Sequence, residues 1–240
     1  MQPVLDILAV DKSFGALRVA DAVTFSLAPG EALGIIGPNG AGKSTLFNLI
    51  TGNIAVDGGR IVFDGTDVTR APPMQRCLMG IGRTFQIPQP FVKLSVFENL
   101  LVAGAFGSRR REAEVAARCG DILVRTGLIG RANVPAGQLS LLERKRLELA
   151  RALATDPKVL LLDEIAGGLT EGECQALVGT IRDIHASGLS IIWIEHVLHA
   201  LNSVVERLLV LDFGKVIGMG RPDDIMASKE VREIYLGLEA

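Results

Sequence analysis

The chain opens with apolar positions that alternate rather than cluster. Val4 to Val10 reads as a strand with Asp6 inside it, and Ala22 to Leu27 places Val23, Phe25 and Leu27 on one face with Thr24 and Ser26 on the other. Pro29-Gly30 marks a turn, and Ala32 to Ile36 is a short apolar run of the kind that forms a buried strand. A glycine-rich loop follows, then a helix over Lys43 to Thr51, a strand over Arg60 to Phe63 and a turn at Asp64-Gly65. From about Pro88 to Ser140 strand signals thin out, and the pattern predicts helices over Glu98 to Ala105 and Glu112 to Thr126. The last third alternates again. It predicts a helix over Leu141 to Ala154, a strand over Val159 to Leu162, a helix over Gly172 to Ser187, a strand over Ser190 to Ile194 and a helix starting near Val197. A strand over Leu208 to Asp212 then turns through Phe213-Gly214-Lys215 into a hairpin partner, Val216 to Met219. Strands alternating with helices predict an α/β fold with a parallel sheet, interrupted by a helical insertion.

Composition narrows the classes. With 240 residues, 48% hydrophobic and 22% charged, the chain supports a real core and is not a disordered type. A net charge of −2 argues against a protein that coats nucleic acid. Cys77, Cys119 and Cys174 are odd in number and form no CxxC, so neither a disulfide framework nor a zinc site is expected, and a reducing compartment fits. No signal peptide is expected, and no apolar run approaches the roughly 18 residues that span a bilayer. Any membrane role is therefore expected to run through a partner. Arg109, Arg110 and Arg111 are followed at once by Glu112 and Glu114, which reads as a solvated loop or helix end rather than a binding patch.

Two segments carry chemistry. Gly37-Pro38-Asn39-Gly40-Ala41-Gly42-Lys43-Ser44-Thr45 matches the phosphate-loop pattern G-x-x-x-x-G-K-[ST] completely, between a predicted strand and a predicted helix. Glycines allow the backbone to turn its N–H groups inward as an anion nest, and the helix adds its positive N-terminal end. Lys43 is expected to bridge the β- and γ-phosphates of ATP, with Ser44 on Mg²⁺. The second segment, Val159 to Leu162 followed by Asp163-Glu164, is an apolar strand ending in two carboxylates. Alone it is as well explained by solvated acids. Beside a phosphate loop, Asp163 is expected to hold Mg²⁺ through water and Glu164 to polarise the attacking water.

With these motifs the sequence resembles the nucleotide-binding domains of ABC transporters over its full length. Lys12-Ser13-Phe14-Gly15 looks like the aromatic loop, where Phe14 stacks on adenine. Gly82-Arg83-Thr84-Phe85-Gln86 looks like the Q-loop, where Gln86 reaches Mg²⁺ and senses the γ-phosphate. Ala166-Gly167-Gly168-Leu169-Thr170 occupies the D-loop, and Ile194-Glu195-His196 the switch segment, whose His196 positions the water. His185 and His199 are read as structural. The family's Leu-Ser-Gly-Gly-Gln signature, which completes the partner subunit's site, is here Leu139-Ser140-Leu141-Leu142-Glu143 ahead of Ala150-Arg151-Ala152-Leu153. Ser140 can still cap the helix, whereas Leu142 at the second glycine position stands to crowd a phosphate. Ile165 replaces the proline that commonly follows the catalytic glutamate, and Val197 an acid that often follows the histidine.

The resemblance implies a single domain over 1–240: a P-loop NTPase core at about 1–86 and 155–240 with a mainly parallel sheet, an N-terminal antiparallel β subdomain, and a helical subdomain at about 87–154. Gly80 to Gln86, Leu147 to Pro157 and the terminal Tyr235-Leu236-Gly237 look like the ATPase subunits of branched-chain amino acid importers. That group implies a second ATPase subunit, alike or homologous, and two membrane-spanning permease subunits. A substrate-binding protein acts indirectly, and the ATPase sits on the cytoplasmic face of the inner membrane. The apolar Ile87-Pro88-Gln89-Pro90-Phe91 loop directly after Gln86 is the expected link to the permease. Open alternatives are the ATPase of another ABC transporter, an ABC protein acting on DNA or ribosomes, and a regulatory subunit that binds nucleotide with weak hydrolysis.

Overall fold

The structure is a computed structural model that describes residues 2–236, so Gly237 of the Tyr235-Leu236-Gly237 run lies outside the described residues. The chain begins with a hairpin, β1 (Leu5–Phe14) and β2 (Leu17–Leu27), and enters β3 (Ala32–Ile36), the glycine loop and α1 (Lys43–Thr51). Next come β4 (Gly58–Phe63), β5 (Thr66–Asp67), α2 (Pro73–Met79) and β6 (Ile81–Arg83). Three helices follow: α3 (Val96–Gly107), α4 (Glu112–Arg125) and α5 (Leu141–Ala154). The remainder is β7 (Val159–Asp163), α6 (Glu171–Ala186), β8 (Ser190–Ile194), α7 (Leu198–Asn202), β9 (Arg207–Asp212), β10 (Lys215–Gly220), α8 (Pro222–Ala227) and α9 (Lys229–Leu236).

These strands build two sheets. One is antiparallel with order β2-β1-β4-β5; the other has order β10-β9-β3-β8-β7-β6 and is parallel except for the β9–β10 hairpin. The central strands are apolar on both faces, as expected where a parallel sheet is covered on each side. On one face Leu33, Ile35, Leu161, Ile192 and Ile194 pack with Leu46, Phe47, Leu49 and Ile50 of α1 and with Ile7, Phe25 and Phe63 of the antiparallel sheet. On the other, Leu160, Leu162, Ile191 and Trp193 meet α5 and α6 through Leu147, Ala150, Leu177 and Ile181. Helix α1 is thus wedged between two sheets. Cys119 and Cys174 are buried and Cys77 half-buried, all as free thiols.

The structure corrects the sequence reading in places. Strand β1 runs on to Phe14 and β2 begins at Leu17, because register shifts and left-handed residues at Ala9 (φ 47°) and Ala22 (φ 50°) break the alternation without ending the pairing. The pattern did not predict β6, whose three residues are too few to show a period. It also did not predict α2, which starts at a proline. The Ser95–Glu98 capping box starts α3 at Val96, before the predicted Glu98. Arg110 pairs with Asp156, and Arg111, the N-cap residue of α4, pairs with Glu114, so these two arginines lie at a helix end.

Arg76 of α2 closes the far end of α1. It is buried, and its guanidinium donates to the carbonyls of Leu49 (2.7 Å), Ile50 (2.8 Å), Thr69 (2.9 Å) and Ala71 (2.9 Å). Substituting Arg76→Met removes all four donations, and the Leu49 carbonyl keeps only the Gly52 N–H at 3.2 Å. Chemical denaturation should show a loss of about 3 kcal/mol or more, and a loss under about 1 kcal/mol would refute the assignment.

Candidate functional site

Strand β3 leads into the glycine loop at the middle of the larger sheet, and the loop is confined on two sides. A Cβ at Gly37 would lie 2.1 Å from the Leu211 carbonyl oxygen, and one at Gly42 (φ 102°) would lie 2.4 Å from that of Val19. Only glycine fits either position. Gly42 is also the N-cap of α1; it offers no side-chain cap, and the first turn carries no acid. The N–H groups of Lys43, Ser44 and Thr45 therefore have no acceptor within the helix, which makes this end an anion site. Lys43 is buried, and its Nζ donates to the carbonyls of Gly37 (2.7 Å) and Pro38 (2.9 Å). Burial holds its ammonium below the ordinary lysine value, against the pull of Glu164 and Asp163. Asn39, Gly40 and Ser44 are exposed, Thr45 is half-buried and Ala41 is buried.

Asp163 ends β7 and Glu164 is the first residue beyond it, with φ 44°. That left-handed turn swings its carboxylate away from the strand line, and its N–H donates to the Ile194 carbonyl at 2.9 Å. Three residues singled out in the sequence meet at this carboxylate. Gln86 Nε2 donates to one oxygen at 2.5 Å, and His196 Nε2 lies 2.8 Å from the other. They come from separate chain segments, yet β6, β7 and β8 are adjacent and all end on the same edge of the sheet.

Several supporting residues were not singled out in the sequence. Arg83 is held between Asp163 (2.7 Å) and Asn48 of α1 (2.6 Å), with the Phe47 and Phe85 rings 5.5 and 5.0 Å from its guanidinium carbon. Glu195 is buried and accepts the N–H groups of Ala166 (3.0 Å) and His196 (2.9 Å), tying the turn after Glu164 to the histidine. Lys145 donates to the Gln86 carbonyl at 2.7 Å and the Glu164 carbonyl at 3.3 Å. A signal existed for Lys145. It lies four and seven residues before Leu149 and Ala152, on the buried stripe of α5, where an unpaired charge is costly. His185, bonded to Glu206 at 2.9 Å and to the Leu189 carbonyl at 3.1 Å, is a strut away from this cluster.

The segment Leu139 to Glu143 starts α5 through a reciprocal capping box. Ser140 Oγ accepts the Glu143 N–H at 3.3 Å, and the Glu143 carboxylate accepts the Ser140 N–H at 2.9 Å and Arg131 Nε at 2.6 Å. The Ser140 N–H foremost, and Arg131 with it, holds the Glu143 carboxyl below the usual glutamate range. Leu142 turns inward and packs against the core. The outward residue is Leu141, 46% exposed, whose Cδ2 would lie 3.4 Å from a Cβ on Gly168. Phe14 is half-exposed at the tip of the β1–β2 hairpin, with Lys12 Nζ 5.4 Å from its ring centroid. The same hairpin supplies the Val19 carbonyl that hems in Gly42.

A strand, an anion-binding loop and a helix, with two acids at the end of a nearby strand, define a nucleotide hydrolase. The ABC transporter family model matches residues 20–167, and the chain belongs to that family. It is 33% identical to the probable branched-chain amino acid transport ATP-binding protein LivG of Methanocaldococcus jannaschii, covering 99% of this chain and 100% of the relative. It is 35% identical to the high-affinity LivG protein of Escherichia coli K12, covering 98% of each. Among solved structures, a nucleotide-free ATP-binding cassette from an ABC transporter superposes with a TM-score of 0.90 at 32% identity, covering 99% of this chain and 100% of that one. The ADP conformation of an ABC transporter cassette superposes equally well, at 33% identity and the same coverage. The chain is accordingly an ABC ATPase, an ATP-binding and ATP-hydrolysing subunit. Among the described residues no helix is long and apolar enough to cross a membrane.

Because the Glu143 carboxyl is lowered in the folded state, its contribution is fully present above the unfolded value of about 4.3 and is lost as pH falls through the folded value. Glu143→Ala should cost about 1 kcal/mol at pH 7, and the difference from the parent should shrink in acid. Denaturation at pH 7 and pH 3 measures both; a cost that does not change with pH would contradict the assigned charge.

Proposed function

We propose that this chain powers an importer of branched-chain or other hydrophobic amino acids, working with a second ATPase subunit and two membrane-spanning permease subunits. A substrate-binding protein would deliver cargo on the far side, and this subunit would sit peripherally on the cytoplasmic face of the membrane. The LivG relatives support the substrate class. The observation that carries the hydrolytic reading is the meeting of Gln86, Glu164 and His196 within 2.5–2.8 Å, between the phosphate loop and the apolar 87–91 loop. Phe91 is half-exposed and Ile87 exposed there, which suits a contact with a permease.

Phe14 would stack on adenine, and residues 37–45 would enclose the phosphates through backbone N–H groups and Lys43. The donor set fits Mg²⁺, a hard cation that keeps waters: the Ser44 hydroxyl, Asp163 through water, and Gln86. When bound, Mg²⁺ would neutralise charge on the β- and γ-phosphates. Glu164 would accept a proton from the attacking water, and His196 would orient that water and the γ-phosphate. The Gln86 and His196 bonds keep the Glu164 carboxylate aimed. Head-to-tail closure would add the partner's Ser140 and the start of its α5 to each site, with Leu141 rather than the inward Leu142 facing it, and drive the permease. The core and helical parts, about 1–86 with 155–240 and 87–154, would turn against each other as it closes.

A second reading rests on Leu141. An exposed leucine beside Gly168, where the family has glycine, favours pairing with a different ATPase subunit, or weak hydrolysis as a regulatory subunit. Light scattering on Glu164→Gln with Mg-ATP separates the readings. A dimer that forms with ATP and hydrolyses at least about 100-fold more slowly than the parent is expected. Hydrolysis at the parent rate would refute Glu164 as the base, and a monomer with ATP bound would favour a different partner.

A further inference from the structure

One face of α5 grips the loop that carries Gln86. Lys145, Glu148 and Arg151 stand three residues apart, at helical spacing that keeps them near one another. Lys145 is 3% exposed, and its Nζ reaches the Gln86 carbonyl on one side and the Glu164 carbonyl on the other. Glu148 is buried as well, and its carboxylate takes Arg151 Nη1 at 3.1 Å, which holds that guanidinium against the loop. The same Nη1 donates to the Gln89 carbonyl at 2.9 Å, and the guanidinium carbon lies 5.5 Å from the Phe91 ring centroid. Beyond this, Asn99 of α3 holds Phe91 through both its N–H (2.8 Å) and its carbonyl (3.1 Å). A loop over 85–91 would ordinarily leave such backbone groups to water. Here Lys145, Arg151 and Asn99 take the carbonyls of Gln86, Gln89 and Phe91.

We infer that this face of α5 locks the 85–91 loop to the helix that begins at Ser140, and that Lys145 is a positioning residue setting the spacing between Gln86 and Glu164. The inference rests on the reading of Glu164 and Gln86 as hydrolytic residues. Neither Lys145 nor Glu148 touches the reacting atoms. Lys145 acts on the peptide units: it holds the carbonyl of Glu164, whose backbone is already left-handed, and the carbonyl of the residue bonded to its carboxylate. A shift of α5 at its Ser140 end is thereby transmitted to both residues at once. Three charged groups on one rigid helix make that transmission short, because no flexible segment intervenes.

The test uses the full chain and two variants, Lys145→Met and Lys145→Arg. Steady-state hydrolysis and ATP binding are measured together with hydrogen exchange of the 85–91 amides. In Lys145→Met, kcat is expected to fall about 10- to 100-fold while KM stays within about threefold, because geometry rather than binding is lost. Exchange over 85–91 should quicken by about 2- to 10-fold, the scale of one hydrogen bond. Lys145→Arg keeps donors for both carbonyls and should restore most of kcat and the slow exchange. An unchanged kcat and unchanged exchange in Lys145→Met would overturn the inference. So would loss of ATP binding in both variants in parallel with melting temperature, since that marks a purely structural lysine. Exchange decides the link even if the parent chain proves inactive, an outcome that would instead sink the hydrolytic reading.

Discussion

The first turn of α1 has N–H groups that nothing in its own helix can satisfy, and much of the fold serves to keep them so. Gly42 replaces the usual capping side chain, and the first turn has no acid to take the positive end. The loop before it cannot relax outward, because the Val19 and Leu211 carbonyls stand where any side chain at Gly42 or Gly37 would go. Both carbonyls belong to strands, one from each sheet. The wedge of α1 between two apolar sheet faces is what makes this confinement rigid, and the Arg76 guanidinium completes it by satisfying the opposite end.

Strands that end together do the rest. Gln86, Glu164 and His196 are distant in sequence, but β6, β7 and β8 are neighbours and parallel, so their following residues converge. The convergence depends on buried polar groups that compensate one another. Asp163 is matched by Arg83, Glu195 by two N–H groups, and Lys145 by two carbonyls. Each would be destabilising alone in an apolar interior, and each becomes tolerable through a partner fixed by the backbone.

Much of this was legible in the chain. The bounds of β3, α1, α5 and β8 follow the apolar pattern to the residue, because each is a run with a sharp chemical edge: a turn at Gly30, glycine at 42, Ser140 as a cap. The phosphate loop and acid pair were readable because their chemistry is local. What escaped had long-range causes. Strand β6 pairs only three residues and exists because β7 lies beside it. The run from Asp11 to Phe14 looks polar, and its pairing with β2 and with Gly58 is a property of neighbours. Leu141 and Leu142 are identical in sequence, and only the helix start decides that the second turns inward and the first outward. Arg83 and Glu148 gave no separate signal, since their partners lie in other segments.

The free thiols have a practical consequence. Burial pushes Cys77, Cys119 and Cys174 above the ordinary thiol value, so little thiolate is available at neutral pH. None lies at the nucleotide loop or beside Leu141. Cys119 and Cys174 are therefore a quiet background for sulfhydryl chemistry, and half-buried Cys77 is the one thiol to replace before a cysteine at an exposed position carries a spectroscopic label.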